Sequence, residues 1–497
     1  FQVIMGALTD AIDPHTSYFN PYFAQRFNEE MANTFEGIGA RLTIENEVVK
    51  VADIIVGGPV YREKALQIDD RIIAVAQGKD GEFEDIIGWK LDHAVAKIKG
   101  PKGTVVRLKV IPAGQELTAE PKIVSLTRDR VVIEDESAKR EVRTVVGADG
   151  KTYKVGIISL PKFYIDFEAY RRNDPNYKST TRDVRLLLDS LKQENVDAVV
   201  MDLRFNGGGS LQESIELTGL FIDRGPVVQV RDTRNRIEVN RDREAGVAWD
   251  GPLGVLINRF SASASEIFAA AIQDYGRGII LGSQSYGKGT VQSAIDMDRV
   301  ISATDQIVLR KSSSAGNNNA IPNGAPQFGQ INLTMAKFYR ITGSSTQHKG
   351  VEPDIVFPSL YAAEKYGESS EPSALPWDQI SPTDFAPIAD LKPVIAQLAE
   401  NHQARMENSP AYKFLLEDIE TVKKQESETS VTLNEALLKR EREEGRQRSK
   451  ARAEALKKMQ INLPLGGEGV SNLEEGLDFI QEESLAVMAD YVSLLRK

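Results

Sequence analysis

Apolar and polar positions along the chain follow three successive rhythms. Residues 1–34 show helical spacing broken by Asp13-Pro14 and resumed from Ala24 to Met31, which predicts helix, turn and helix, the end of a helical region whose start is missing. From Phe35 the pattern shortens to strand lengths: Gly37 to Leu42, Val48 to Ile55, and Asp70 to Val75. Leu91, Val95 and Ile98 then share one helical face. After Gly100-Pro101-Lys102-Gly103, Val106, Leu108 and Val110 alternate with Arg107 and Lys109 as in a half-buried strand. A small β domain over residues 35–125 accounts for this stretch.

From Tyr153 strands and helices take turns. Strands are expected at Val155–Leu160, Ala198–Leu203, Leu253–Ile257 and Gly278–Leu281, with helices at Thr181–Leu191, Leu211–Phe221 and Ser263–Tyr275. Such alternation implies a mainly parallel sheet with helices on its faces, here assigned to residues 126–366. Ser312 to Gln327 reads as a loop, Leu333 to Tyr339 as a strand, and the polar stretch Gly367 to Pro376 as the end of the sheet domain. Residues 367–497 form a helical, charged region, and Lys439 to Lys458 mixes both signs evenly, as a solvated helical face does. The fold class is therefore multidomain, α/β with α+β, and 497 residues suit three or four units better than one core.

Composition narrows the function. A net charge of −11 argues against nucleic acid as a partner, since phosphate binding needs concentrated Lys and Arg. No apolar run reaches the roughly 18 residues of a membrane span, and Phe1 opens directly into a helical pattern without a signal peptide. The chain thus reads as soluble and truncated. With zero cysteines there is neither thiol catalysis nor a disulfide. Neither a metal nor a cofactor is implied.

Candidate chemistry begins where the strand Leu253–Ile257 runs through Asn258-Arg259-Phe260-Ser261-Ala262-Ser263-Ala264-Ser265-Glu266 into an apolar helix. Ser263 with Glu266 three positions on is, read plainly, a capping box. Yet the small neighbours leave Ser263 uncovered, and a helix amino terminus stabilises the negative charge of an attacked carbonyl. The next strand leads into Gly282-Ser283-Gln284-Ser285-Tyr286-Gly287-Lys288-Gly289, with Lys288 between two glycines. A lysine in a dry pocket can act as the base for a serine, because desolvation disfavours its charged form. Each of the four histidines, His15, His93, His348 and His402, reads as a surface residue, and none has the context of a Ser-His-Asp site. The lysine segment has three other readings. A phosphate-binding loop would need Ser or Thr where Gly289 stands. A Ser285-x-x-Lys288 motif of penicillin-recognising enzymes lacks its companion motifs. Lys288 as an ordinary solvated lysine is the third.

Taken together, these segments resemble the carboxyl-terminal processing peptidases, most closely the larger tail-specific members. The markers are Asp13-Pro14-His15-Thr16-Ser17-Tyr18, Phe35 to Ala40, Asp202-Leu203-Arg204-Phe205-Asn206-Gly207-Gly208-Gly209, Phe260 to Glu266, Tyr286 to Gln292, and Gly350-Val351-Glu352-Pro353-Asp354. The resemblance implies a PDZ domain, a crotonase- or ClpP-like serine protease core, helical regions at both ends, and a catalytic dyad of Ser263 and Lys288. It further implies that Gln292 orients Lys288. Asp274 matches an aspartate often grouped with the catalytic residues. If Asp274 shares a helix with Ser263, though, eleven residues separate them by about 16 Å, so a structural part is expected for it. Gly207, Gly208 and Gly209 follow a strand and open a helix, and their amides with that of Ala264 are candidates for the oxyanion hole.

The PDZ resemblance makes Gly37-Ile38-Gly39-Ala40 the loop that holds a terminal carboxylate, with the incoming peptide added as a strand against the Leu91–Ile98 helix. Asp69 stands where the family has glycine in a turn, which is expected to strain that corner. Substrates with apolar, unstructured carboxyl termini, a helical-repeat lipoprotein adaptor and residence in the periplasm follow from the resemblance alone. The rival reading from another class is a catalytically inactive PDZ scaffold that binds tails without cutting them.

Overall fold

The computed structural model describes residues 2–313, 328–430, 432–462 and 478–496. The chain divides into two units that interleave along the sequence. Residues 1–137, 164–179 and 291–335 make the first, and 138–163, 180–290 and 336–497 the second.

In the first unit, helices Gln2–Asp10 and Pro21–Ala32 flank the Asp13-Pro14 break, and Asn20 caps the second by accepting from the amides of Tyr22 and Phe23. Between them Ser17–Phe19, expected only as turn, pairs antiparallel with residues 330–332. The β domain places strands Ala40–Glu45, Val48–Ile54, Arg71–Gln77, Val105–Ile111 and Lys122–Thr127 side by side in that order, and the Leu91–Ile98 helix buries Ala94 and Ile98, with Leu91 and Val95 of the expected face only half-buried. Alternation decides the core as expected: Val106, Leu108 and Val110 are buried, with Arg107 and Lys109 between them less so. Asp69 sits at its corner with φ 71°, its amide on Val51 O at 2.8 Å and its carboxylate 3.0 Å from Lys50 Nζ. Asp is one of the few side chains that accept this left-handed backbone, so the corner keeps its turn without glycine.

In the second unit, a sheet runs Lys139–Val146, Thr152–Ser159, Ala198–Asp202, Leu253–Ile257, Ile279–Gly282, Ile355–Val356. The first pair is antiparallel and the rest are parallel. Every residue of Ala198–Asp202 and Leu253–Ile257 is buried, as strands covered on both faces require. The last helix, Phe479–Leu495, lays Leu485, Val487, Met488 and Val492 against Val155, Val200, Leu256 and Leu281 of this sheet. The region read from sequence as a separate helical tail thus supplies part of the core. It also corrects His402: expected at the surface, it is 9% exposed, with Nδ1 2.9 Å from Glu483 on that last helix. A partner 81 positions away is invisible to local pattern.

Lys439–Lys458 lies in the helix Glu435–Asn462. The loop expected at Ser312–Gln327 falls outside the described residues from 314 on, and Ser312 and Ser313 end a helix that begins at Ala303. Among the described residues no helix is long and apolar enough to cross a membrane.

Candidate active site

Parallel strands Ala198–Asp202 and Leu253–Ile257 deliver their following loops to one edge of the sheet, where open α/β folds gather their chemistry. After Ile257 the chain turns sharply. Ser261 Oγ donates to Leu203 O at 2.8 Å and accepts from Asn258 N at 2.9 Å, tying the two loops together. Asn206, fully buried, extends the tie: its carbonyl accepts from Ala262 N and Ser265 Oγ, and its side chain donates to Leu160 O while accepting from Gly208 N. The turn ends at Ser263 with φ 56° and ψ −111°, and the helix Ala264–Asp274 starts at the next residue. Backbone of this kind costs about 1–3 kcal/mol at a non-glycine residue, and the surrounding bonds are what hold it there.

Gly208 shows why that turn needs glycine. Its φ is 107°, and a Cβ there would lie 2.8 Å from Ser263 Cβ, 2.9 Å from Ala262 O and 3.1 Å from Ala264 N. The glycine backbone therefore lies directly against Ser263 and the first amide of the helix. Ala264 N–H, at the first helical position, has no intrahelical acceptor of its own. Gly208 N–H is committed to Asn206 Oδ1 at 2.9 Å.

The carboxylate of Glu266 is the centre of the site. It is fully buried and accepts four hydrogen bonds: Oε2 from Ser263 N at 2.8 Å and Lys288 N at 2.9 Å, Oε1 from Gly287 N at 2.7 Å and Ser285 Oγ at 2.6 Å. The backbones of the expected nucleophile and base thus converge on one oxygen. Burial pushes the carboxyl up to about 7, against the pull of those same hydrogen bonds. From sequence Glu266 reads only as a cap. Its place in the Phe260–Glu266 marker was the available signal, but its reach to Gly287 and Lys288 depends on how two distant loops pack.

The same bonds decide between readings of the lysine loop. Ser285 is fully buried, donates to Glu266 and accepts from Val351 N at 2.7 Å, so it fastens the loop to Gly350-Val351 instead of facing a substrate. Gly289 N donates to Gln347 Oε1 at 2.7 Å. With Gly287, Lys288 and Gly289 amides all given to protein acceptors, the loop cradles no phosphate. Gly287 has φ 96°, and a Cβ there would meet the His348 carbonyl carbon at 2.8 Å, so the glycine before Lys288 permits close packing. Lys288 itself is half-buried.

Asp274 ends the helix that Ser263 begins. Its carboxylate holds Arg340, with Nη2 at 2.5 Å and Nε at 3.1 Å, and Arg340 Nη2 also donates to Gln273 Oε1. Burial raises the carboxyl, and the arginine brings it only part of the way back. Gln292, in the first unit, donates from Nε2 to Thr334 Oγ1 at 3.1 Å. Among the described residues no cluster of His, Asp or Glu could hold a metal ion.

In the β domain, Ala40–Glu45 is an edge strand. Ile38 O accepts from Val60 N and Gly39 O from Ile55 N, which turns the Gly39 and Ala40 amides to the opposite side of their peptide planes. Leu42 and Leu91 are only half-buried beside this edge.

Residues 154–357 match the model of peptidase family S41, residues 28–111 that of the PDZ domain, and residues 361–493 that of the C-terminal domain of tail specific protease. A tail-specific protease of Haemophilus influenzae is 37% identical over 503 residues, which cover 99% of this chain and 65% of that relative. A carboxy-terminal-processing protease of Bartonella bacilliformis is 30% identical over 347 residues, covering 70% of this chain and 67% of the relative. Among solved structures, the PDZ domain of a carboxy-terminal protease from Vibrio cholerae in complex with peptide is 39% identical, covers 20% of this chain and 97% of its own, and has a TM-score of 0.19. The chain spans just under two thirds of the length of the Haemophilus relative.

Proposed function

Because the chain belongs to peptidase family S41 and carries a PDZ domain, we propose that it is a serine endopeptidase that recognises apolar, unstructured carboxyl termini and cleaves the proteins bearing them. Ser263 is the nucleophile and Lys288 the base. The neutral amine takes the Ser263 proton as Oγ attacks the scissile carbonyl, and returns it to the leaving amine. Water then hydrolyses the acyl-enzyme by the same route. Ala264 N–H, with the Gly207 and Gly209 amides of the turn whose Gly208 N–H is already given to Asn206, holds the oxyanion, Gln292 orients Lys288, and Asp274 serves the helix end.

The observation that carries this reading is the shared carboxylate oxygen of Glu266, which ties the Ser263 and Lys288 backbones to one point. The strained Ser263 at a helix amino terminus supports it. An unfolded substrate with an apolar tail should be digested by the wild-type protein and left intact by Ser263→Ala. Equal digestion by both would remove the dyad, and digestion by neither would favour the inactive scaffold.

Tail recognition is assigned to the Gly37-Ile38-Gly39-Ala40 loop and the adjacent edge strand. Amidating the substrate's terminal carboxylate should slow cleavage, and unchanged rates would separate the loop from selection. Periplasmic residence and a helical-repeat lipoprotein adaptor belong to the same proposal, on family grounds.

A further inference from the structure

Where the loops of the candidate site meet, the rings of Phe205, Phe260, Tyr361 and Tyr366 gather, all of them within the second unit. Phe205 stands two residues before the Gly207 to Gly209 turn, and Phe260 three before Ser263. Their amides donate to one atom, Asn258 Oδ1, at 3.0 and 3.1 Å, and their rings stack with centroids 5.6 Å apart at 17°. Tyr361 meets the Phe260 ring edge-on at 4.7 Å, and Tyr366 meets Tyr361 at 5.3 Å. The segment with the two tyrosines is bound in turn to the loop that carries Lys288, through Glu368 N on Tyr286 O at 3.0 Å, and Tyr286 N donates to Ser261 O at 2.9 Å. The cluster is thus joined to each of the segments that furnish the proposed nucleophile, base and oxyanion donors.

Phe260 and Tyr361 are half-buried, and the Tyr366 hydroxyl donates to Glu426 Oε1 at 3.2 Å, whereas Phe205 is 63% exposed. The φ of Phe205 is 61°, a left-handed backbone that glycine or asparagine adopts readily and a bulky side chain rarely does. Folding gains little from a ring left in water, and the turn would form more easily with a smaller residue. An apolar ring held in the open on strained backbone points to a contact made with something outside the fold.

What meets the ring follows from where it lies. Phe205 is three residues from Gly208, whose backbone lies against Ser263, and Phe260 is three residues from Ser263 itself, so each span is at most about 11 Å. An extended polypeptide advances about 3.3 Å per residue, so a side chain within three positions of the attacked carbonyl covers the same span. Stacked and edge-on rings suit an apolar side chain, an aromatic one above all, because it can add to the stack.

We propose that Phe205, backed by Phe260, is a subsite for one large apolar side chain of the substrate within three residues of the cleaved bond, and that it sets a preference for an aromatic residue there. The inference rests on the dyad reading above and gives it a selectivity near the cut that is separate from recognition of the tail.

The test is cleavage by the full chain of an unfolded, apolar-tailed substrate whose cut is mapped by mass spectrometry, with each of the three residues on either side of it set in turn to Phe or Ser. At one of these positions the wild type should cut the Phe form with a kcat/KM about tenfold above the Ser form, as filling an apolar subsite gives. Phe205→Asn, which keeps the left-handed backbone and removes the ring, should bring that ratio to about one, and Phe205→Tyr should retain it. Each ratio compares two substrates on one enzyme, so a variant that folds less well does not alter it. The same ratio in wild type and Phe205→Asn, a wild-type ratio of about one at every position, or a Phe205→Tyr ratio no higher than that of Phe205→Asn would overturn the inference while leaving the dyad standing. Cleavage by Ser263→Ala equal to wild type, or no cleavage by either, would instead remove the dyad, and the inference with it.

Discussion

Gly208 and Glu266 hold Ser263 in place by opposite means, one by having no side chain and the other by burying a polar one. At Gly208 the constraint is space, because a methyl group would lie 2.8 Å from Ser263 Cβ on a backbone with φ 107°. Gly208→Ala is expected to slow cleavage about 100-fold, the usual effect of moving a reacting group by an ångström. A variant as active as wild type would show that the turn does not press on Ser263 in solution. At Glu266 the constraint is electrostatic. The carboxyl rises from an ordinary 4.5 to about 7 on folding. A raised folded value means that its contribution to stability is complete below about 4.5 and is lost as pH climbs through about 7. The melting temperature of the wild type relative to Glu266→Gln should therefore fall by a few degrees between pH 5 and pH 8. A difference that stays flat with pH would show that the carboxylate is ionised throughout.

The element scale is set by the helix Ala264–Asp274, which has Ser263 as its amino-terminal cap and an acid as its last residue. A carboxylate at a helix carboxyl terminus opposes the helix dipole, and Arg340 is what offsets it. Removing one member of a buried ion pair costs about 3–5 kcal/mol, because the other is left unpaired. Asp274→Asn should therefore lower the melting temperature by several degrees, with activity lost in proportion to unfolding. Lost activity at an unchanged melting temperature would instead give Asp274 a direct part in the chemistry. The spacing along one helix was legible from sequence, and so was the conclusion that Asp274 cannot reach Ser263. Its partner Arg340, 66 positions on, was not.

For the whole molecule, the feature local pattern least foretold is the last helix. Phe479–Leu495 reads as one more piece of a charged helical tail, yet Leu485, Val487, Met488 and Val492 fill one face of the parallel sheet. Each such side chain contributes about 1.5–3 kcal/mol by leaving water, and a domain's net stability is only about 5–15 kcal/mol. Ending the chain before Asp478 should therefore abolish cooperative unfolding in calorimetry and yield aggregated protein. A truncated chain with a sharp transition near the wild-type temperature would contradict that packing. His402 failed as a surface residue for the same reason: its partner Glu483 arrives with this helix.

Taken alone, the sequence determined the strands at Ala198, Leu253 and Ile279 and the helices that follow the first two, though not the strands Ser17–Phe19, Gly225–Asp232 and Ile237–Asp242, together with the alternation of Val106, Leu108 and Val110, and the placing of Ser263 at a strand-to-helix turn and of Lys288 between glycines. These follow from periodicities of two and 3.6 residues and from glycine's freedom, which act within a few positions of the chain. Only the tertiary structure decided that Glu266 would gather both loops, that Phe205 would stack on Phe260, that Arg340 would hold Asp274, and that the final helix would close the sheet. Each depends on groups brought together across long stretches of chain, where burial makes a polar atom seek whatever partner the packing supplies.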